Sequence, residues 1–290
     1  MKGILLAGGH GTRLHPTTLA ISKQLAPIYD KPLIYYPLST LMLAGIREVM
    51  IVTTPHDQAR FVSLLGDGSA LGMRFHFVAQ RSPDGIAQAF LLDRAFCGGQ
   101  RVALALGDNI LYAEQLPSTL RRVIDAHRGA TVFASRVSDP ERYGVVTFDD
   151  RDMPVALEEK PTNPSSNWAV TGLYFYDERV SELAERLAPS ARGELEITDL
   201  NRLYLAMGEL TVERLGRGTT WLDPGTPEAM LRAANFIHVL EERQGLKFAC
   251  IEEIAWRMGW ITVEQLARLG HALRKSAYGQ YILRLCDADG

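Results

Sequence analysis

An apolar run at residues 3–7 passes without interruption into Gly8-Gly9-His10-Gly11-Thr12-Arg13-Leu14. Three glycines within four residues let the backbone turn tightly and adopt positive φ with no Cβ in the way. Further apolar runs share the character of the first. Residues 48–53, 74–79 and 102–106 are also short and closed by turn residues, which reads as buried strands. Between them, residues 37–44 have helical spacing and stop at Gly45, and residues 57–65 stop at Gly66. Residues 85–96, with Ile86, Ala89, Phe90 and Ala95 as an apolar stripe, read as a third helix. Strand–helix alternation of this kind predicts an α/β fold: a Rossmann-like, mostly parallel sheet flanked by helices, with right-handed crossovers.

The middle of the chain changes character. Residues 143–148, 155–159 and 169–176 are closely spaced strands separated by turn-rich pieces, which predicts antiparallel excursions covering one edge of the sheet. Helical patterns return at 180–187 and 197–207, and then at 227–244, 251–258, 262–269 and 276–284. The simplest organisation is one domain over residues 1–226 with a helical C-terminal region over 227–290. A net charge of -3 provides no basic field for a nucleic-acid backbone, so any phosphate must be met by local cations and backbone amides. Cys97, Cys250 and Cys286 are far apart and fit neither a metal spacing nor a disulfide framework. There is no leader-like segment at the start and no apolar run near the ~20 residues of a membrane span. A cytoplasmic location is expected, with neither membrane nor nucleic acid as a partner.

The glycine loop suits phosphate, since amides on such a turn form a concavity and Arg13 adds a planar cationic fork. Lys23 can fold back as a second cation. Two better-known loops are excluded. A P-loop requires Gly-Lys-Ser/Thr where Arg13 follows Gly11-Thr12, and a dinucleotide loop requires glycine where Leu14 stands. No acidic residue ends the second strand, which closes in Thr53-Thr54-Pro55, so an oxidoreductase is disfavoured. Asp108 follows the fourth strand and Gly107, so its carboxylate should emerge at the same sheet edge as the loop. Asp223 follows the short run 219–222. On spacing alone both also read as caps or turn residues, and Lys160 as a solvated strand-end cation paired with a neighbouring glutamate.

The run Leu6 to Leu14, with Ser22-Lys23-Gln24-Leu25 and Asp30-Lys31-Pro32, closely resembles the sugar-nucleotide pyrophosphorylases, and among them the glucose-1-phosphate thymidylyltransferases. The likeness continues, in order, through Gln80…Pro83-Asp84-Gly85, Gly107-Asp108-Asn109 and Glu141-Arg142-Tyr143-Gly144-Val145. It then runs through Glu158-Glu159-Lys160-Pro161, Gly193-Glu194-Leu195-Glu196-Ile197-Thr198-Asp199, Trp221-Leu222-Asp223 and Arg243-Gln244-Gly245-Leu246-Lys247. It spans nearly the whole chain.

That resemblance implies an enzyme joining dTTP to glucose 1-phosphate with release of pyrophosphate. By resemblance, Gly8, Gly9, Gly11, Thr12, Arg13, Lys23 and Asp108 meet the nucleotide, with Gln80 and Gly85 at the base. Arg13, Lys23 and Lys160 are the catalytic cations, and Asp108 and Asp223 hold Mg2+. Asn109, Tyr143, Gly144, Glu159, Lys160, Val170 and Trp221 fall at sugar-binding positions. Tyr143 reads equally as a core aromatic, and an aromatic next to a strand, as Trp221 is, is often simply packing. Lys247, Glu253 and Arg257 match parts of a regulatory nucleotide-sugar site in a homotetramer, with dTDP-rhamnose as inhibitor; a surface ion pair explains Glu253 and Arg257 as well.

Two residues depart from the family pattern. His10 stands where relatives usually carry serine, and a solvent-facing ring is expected. Pro224 replaces the usual threonine after Asp223, removing an amide donor. Other readings remain: a uridylyltransferase, a thymidylyltransferase for another hexose 1-phosphate, a glycosyltransferase, or a non-catalytic nucleotide-sugar-binding regulator.

Overall fold

The computed structural model describes residues 1–288 apart from His10 and His127, and Ala288 by its backbone alone; the expectation for the His10 ring therefore lies outside the described residues. The chain opens with β1 (Lys2–Ala7), a loop of short 3-10 turns, and the two-residue strands β2 (Pro27–Ile28) and β3 (Lys31–Pro32) before α1 (Tyr35–Leu43). Strands β4 (Glu48–Thr53) and β5 (Arg74–Ala79) flank α2 (Gln58–Leu65), and α3 (Arg94–Cys97) leads into β6 (Val102–Leu106). Then come β7 (Ile110–Tyr112), α4 (Leu116–Ala126), β8 (Ala130–Arg136), β9 (Gly144–Phe148), β10 (Pro154–Glu159) and β11 (Trp168–Tyr176). The chain continues through α5 (Val180–Ala184), α6 (Ile197–Ala206), β12 (Leu210–Arg214) and β13 (Thr220–Leu222) to the helices α7 (Pro227–Gln244), α8 (Ile251–Arg257), α9 (Val263–Ala272) and α10 (Ala277–Ala288).

β1 pairs in parallel with β4 on one side and β6 on the other, and β5 extends the sheet beyond β4. The chain thus travels outward from β1 in one direction, then returns to β6 on the opposite side. This reversal opens a crevice beyond the carboxyl ends of β1 and β6, the place where open α/β sheets bind ligands. The glycine loop leaves β1 there, and Asp108 lies two residues past β6.

Both sheet faces are covered, as expected for parallel strands. Leu5, Val49, Ile51, Ala103 and Ala105 face one core. Ile4, Met50, Val52, Val102 and Leu104 face the other. The alternation is the period of two that a pleated strand imposes. Ile251, Ala255, Ile261, Leu266 and Ile282 from the C-terminal helices and the α8–α9 connection join the Leu5 core. Ala233 and Ile237 of α7 pack with Ile28, Leu33 and Ile110 in a third cluster. Thr226 caps α7 by accepting the Ala229 amide at 3.2 Å, Pro227 begins it, and Gly245 ends it with φ 68°.

Two expectations are corrected. Residues 85–96 do not form one helix. They make a 3-10 turn over Ala87–Phe90 and the short α3, for which the Asp93 side chain accepts the Phe96 amide. The Ala87 amide is drawn away from helical pairing by the Leu195 carbonyl at 3.1 Å. The antiparallel strands, moreover, do more than cover an edge. β11 lies beside β6 within the sheet and also pairs with β8 and β9, and β12 adds a parallel strand outside β8. The helical spans at 37–44, 180–187 and 262–269 are shifted or shortened by a few residues, as terminal turns commonly are.

α10 is held to α8 by two tyrosines one turn apart: Tyr278 donates to Glu252 and Tyr281 to Glu253, each at 2.6 Å. Burial pushes the Glu252 carboxyl above its ordinary value of 4.5, although the Tyr278 hydroxyl opposes the shift. The unfolded group ionises near 4.5 while the folded one keeps its proton longer. The stability due to Glu252 is therefore complete below 4.5 and is lost as pH rises through the folded value. Glu252→Gln cannot ionise. Its urea midpoint should gain on wild type as pH rises above the ordinary carboxyl value, and a difference that stays flat as pH rises would contradict the assignment.

Candidate active site

The glycine loop is held in one shape from below. The Thr18 hydroxyl donates to the Gly11 carbonyl at 2.8 Å, and the Leu14 amide closes a turn on the same oxygen at 2.8 Å. Gly11 has φ 55°, the left-handed region that glycine enters without strain. Thr12 and Arg13 stand at the turn with their side chains reaching solvent, while Leu14 is buried beneath it. Gly8 and Gly9 line a small cleft together with Thr54, Pro55 and Gln80.

Behind the loop lies a compact cluster of charge. Lys23 is 6% exposed, and its Nζ sits 2.7 Å from Asp108 Oδ2 and 3.7 Å from Asp223 Oδ1. Asp223 comes from the end of β13, which pairs antiparallel with β7, just beyond Asp108. A tight turn at Pro224, with the Gly225 amide donating to the Asp223 carbonyl at 2.8 Å, fixes the backbone there although proline supplies no amide. Burial first, and the neighbouring Asp108 charge second, push the Asp223 carboxyl upward; Lys23, Arg142 and Arg13 oppose them. Two carboxylates facing one small space repel, and a cation relieves it.

The donor set fits a hard divalent ion. Among the described residues, no group of three or more His, Cys, Asp or Glu side chains is arranged to hold a metal. Two carboxylates with water and phosphate oxygens completing the shell is the pattern that suits magnesium rather than zinc or calcium. Asp108 and Asp223 are the residues that would hold it.

From this cluster a cavity of about 500 Å³ opens over the β9–β11 side of the sheet. Every residue expected at the sugar lines it: Asn109, Tyr143, Gly144, Glu159, Lys160, Val170 and Trp221. Asn109 is its junction. The Asn109 Oδ1 accepts the Gly172 amide at 3.0 Å and the Trp221 indole at 2.6 Å, while Nδ2 donates to Asp108 at 3.0 Å. A Cβ at Gly172 would lie 2.6 Å from the Asn109 side chain, so only glycine permits this approach. Tyr143 and Trp221 stack obliquely at 4.9 Å, so these two aromatics pack together and form cavity wall at once.

Glu159 and Lys160 would point to opposite faces if the strand continued. Lys160 instead has φ 43°, ends β10, and shares the cavity with Glu159, its Nζ 3.4 Å from Glu159 Oε1. Thr198 donates to Glu159 Oε2 at 2.6 Å. Two arginines that the motif reading did not single out complete the wall. Arg192 forms a forked contact with Glu196 at 2.9 Å and reaches Glu159 at 3.4 Å. Arg142 lies 2.7 Å from Asp139 and 3.9 Å from Asp223. Their signal was position: Arg142 lies inside the run Glu141 to Val145 already quoted, and Arg192 directly precedes Gly193-Glu194.

Gln80 lines the cleft beside Gly8, separate from the larger cavity, and its amide donates to the Gly85 carbonyl at 3.3 Å. Lys247, Glu253 and Arg257 lie outside both. Lys247 joins a buried ion network with Asp30, Lys31 and Glu241, and Glu253 pairs with Arg257 at 2.7 Å. The Tyr281 hydroxyl, on Glu253, also stands beside the Lys247 backbone.

Known proteins resemble this chain in sequence and in fold. The family described as Nucleotidyl transferase matches residues 2–239. A protein from Neisseria meningitidis named glucose-1-phosphate thymidylyltransferase is 55% identical over 98% of this chain and 99% of its own. Proteins of the same name from Xanthomonas campestris and Mycobacterium tuberculosis are 57% and 54% identical, covering 98% and 99% of this chain and 96% and 99% of theirs. Among solved structures, one described as a putative Bacillus anthracis glucose-1-phosphate thymidylyltransferase with sucrose superposes with TM-score 0.75 at 41% identity, over 81% of this chain and 94% of that one. A UDP-glucose pyrophosphorylase with UDP-glucose gives 0.71 at 26% identity, over 82% and 98%. By the family model over most of its length and by relatives more than half identical, the chain belongs to the nucleotidyl transferase family.

Proposed function

We propose that this chain transfers a deoxythymidylyl group from dTTP to α-D-glucose 1-phosphate, giving dTDP-glucose and pyrophosphate. The observation that carries the reading is the meeting of Lys23, Asp108 and Asp223 between a glycine loop and a hydroxyl-binding cavity. The names of relatives more than half identical over nearly the full chain support the same substrates. Enzymes of this family depend on a divalent metal, and we assign Mg2+ to Asp108 and Asp223. When bound, the ion neutralises phosphate charge and makes the α-phosphorus more electrophilic.

The remaining work falls to the chain's own groups. The sugar phosphate is already an anion, so its oxygen attacks the α-phosphorus with no base needed. The bond from that phosphorus to the bridging oxygen breaks as pyrophosphate leaves. Two anions must be brought together, so catalysis consists of positioning and charge neutralisation. Amides at Gly8, Gly9, Gly11 and Thr12 face the triphosphate, and Arg13 and Lys23 balance charge on the departing pyrophosphate. Lys160 and Arg192 hold the sugar phosphate. Glu159, oriented by Thr198, accepts sugar hydroxyls, and Tyr143, Gly144, Val170, Asn109 and Trp221 shape the space for the ring.

Burying the thymine methyl is worth only about 1 kcal/mol. A preference for dTTP with measurable use of UTP is the expected result. Residues 1–226 form the catalytic region in this reading. Residues 227–290 serve subunit contacts in a homotetramer and a regulatory nucleotide-sugar site with Lys247, Glu253 and Arg257. Leu231, Val239 and Leu246, all more than half exposed, support an interface on and just beyond α7.

Purified protein given dTTP, glucose 1-phosphate and Mg2+ should release pyrophosphate, and no release with any hexose phosphate would refute the reading. Asp108→Asn and Asp223→Asn should each lower turnover by on the order of 100-fold or more with the circular dichroism spectrum unchanged. Lys160→Arg keeps the charge but not the reach, and kcat/KM for glucose 1-phosphate should fall about 10- to 100-fold. Wild-type kinetics in that variant would remove Lys160 from the site. If dTDP-rhamnose inhibits, Arg257→Ala should relieve inhibition with uninhibited turnover intact; retained inhibition would separate Arg257 from the regulatory site.

A further inference from the structure

The base cleft contains a hydrogen-bond chain whose direction is fixed at one end. The Asp84 carboxylate can only accept. Gln88 Nε2 therefore donates to Asp84 Oδ2, at 2.6 Å, which turns Gln88 Oε1 toward Gln80. Gln80 Nε2 donates one proton to that oxygen at 2.5 Å and directs the other to the Gly85 carbonyl at 3.3 Å. Both protons of the Gln80 amide are engaged within the protein. Among the described residues Gln80 Oε1 has no hydrogen-bond partner, and it faces Gly8, 3.4 Å from where a Cβ on that glycine would stand. Gln80 is 7% exposed, so an amide flip would have to occur within a packed wall.

The short segment that carries this chain is itself clamped. The Leu195 amide donates to the Asp84 carbonyl at 2.7 Å, and the Leu195 carbonyl accepts the Ala87 amide at 3.1 Å. Gly85 sits between them at φ 103°, where a Cβ would come within 2.3 Å of the Leu195 oxygen.

We infer that Asp84 and Gln88 are positioning residues for base selection: they lock Gln80 with its carbonyl oxygen toward the ligand, so the site demands a base edge with a ring N–H. Thymine and uracil bring such a donor at N3. Cytosine brings an acceptor at N3, which would leave two acceptors facing each other in a desolvated cleft. The inference rests on the reading of this cleft as the base site of a pyrimidine nucleotidyl transfer. It adds to that reading the residues that determine which polarity Gln80 presents.

The test compares kcat/KM for dTTP and dCTP, with glucose 1-phosphate and Mg2+, in wild type, Gln80→Leu, Gln88→Leu and Asp84→Asn. Gln88→Leu frees the Gln80 amide to rotate, and the dTTP to dCTP ratio should fall about tenfold or more. Asp84→Asn keeps size and fold but adds a donor, so the whole chain can run backwards and present Gln80 Nε2 to the base. In that variant dCTP use should rise in absolute terms, by about fivefold or more. The Michaelis constant for glucose 1-phosphate and kcat at saturating dTTP should stay within about threefold of wild type, since neither residue touches the reacting atoms. A residue that only braces the loop would weaken both nucleotides equally and leave the ratio unchanged. An unchanged ratio in both Gln88→Leu and Asp84→Asn, with the ratio lost in Gln80→Leu, overturns the relay while leaving the base site in place. A wild-type protein that releases no pyrophosphate from dTTP overturns the functional reading, and this inference with it.

Discussion

Two carboxylates that would repel each other are held at one point, with a buried ammonium between them. Most of the architecture serves that juxtaposition. Asp108 arrives from the end of β6, Asp223 from the end of β13, and Lys23 from a turn beneath the glycine loop. Their sequence separations are large, so no local interaction can bring them together. The parallel core does so, because β1 and β6 end side by side at the point where the chain reverses its course through the sheet. The same electrostatics that makes this arrangement costly without a cation makes it receptive to one, and a doubly charged ion matches the pair better than an ammonium does.

The site grows outward from this centre by hydrogen bonds rather than by loops laid over a surface. Asn109 connects the Asp108 carboxylate to β11 and to Trp221, so the aspartate cluster and the cavity wall share one amide. Glu159 is gripped by Thr198 and Arg192, both from the stretch of chain beyond α5. These cavity groups are each oriented by a neighbour on another element, and rotamer freedom is reduced before any ligand enters.

The parallel core was legible because its signals are local. β4, β5 and β6 end where the apolar runs end, and α7 is bounded by a threonine cap, a proline start and a glycine stop. The glycine loop, the two aspartates and the cavity residues were legible by motif likeness. Spacing alone had left Asp108 and Lys160 open to bland interpretations. The features that stayed hidden depend on distant partners. The apolar stripe at 86–95 looks helical until the Leu195 carbonyl takes the Ala87 amide. β12 is only partly buried and gains its meaning from β8, far earlier in the chain. Arg192, among glutamates, reads as a surface ion pair until β10 brings Glu159 beside it.

The clamp between Asp84, Ala87 and Leu195 has a consequence for how such a site can diversify. The stretch around Gly85 and the stretch bearing Arg192, Glu196 and Thr198 are stitched together through a single residue's amide and carbonyl. Remodelling either stretch strains the other unless both bonds to Leu195 survive. With the base and hexose placed as proposed, their selection would be mechanically coupled, and lineages exploring new donors would be expected to drift in acceptor at the same time.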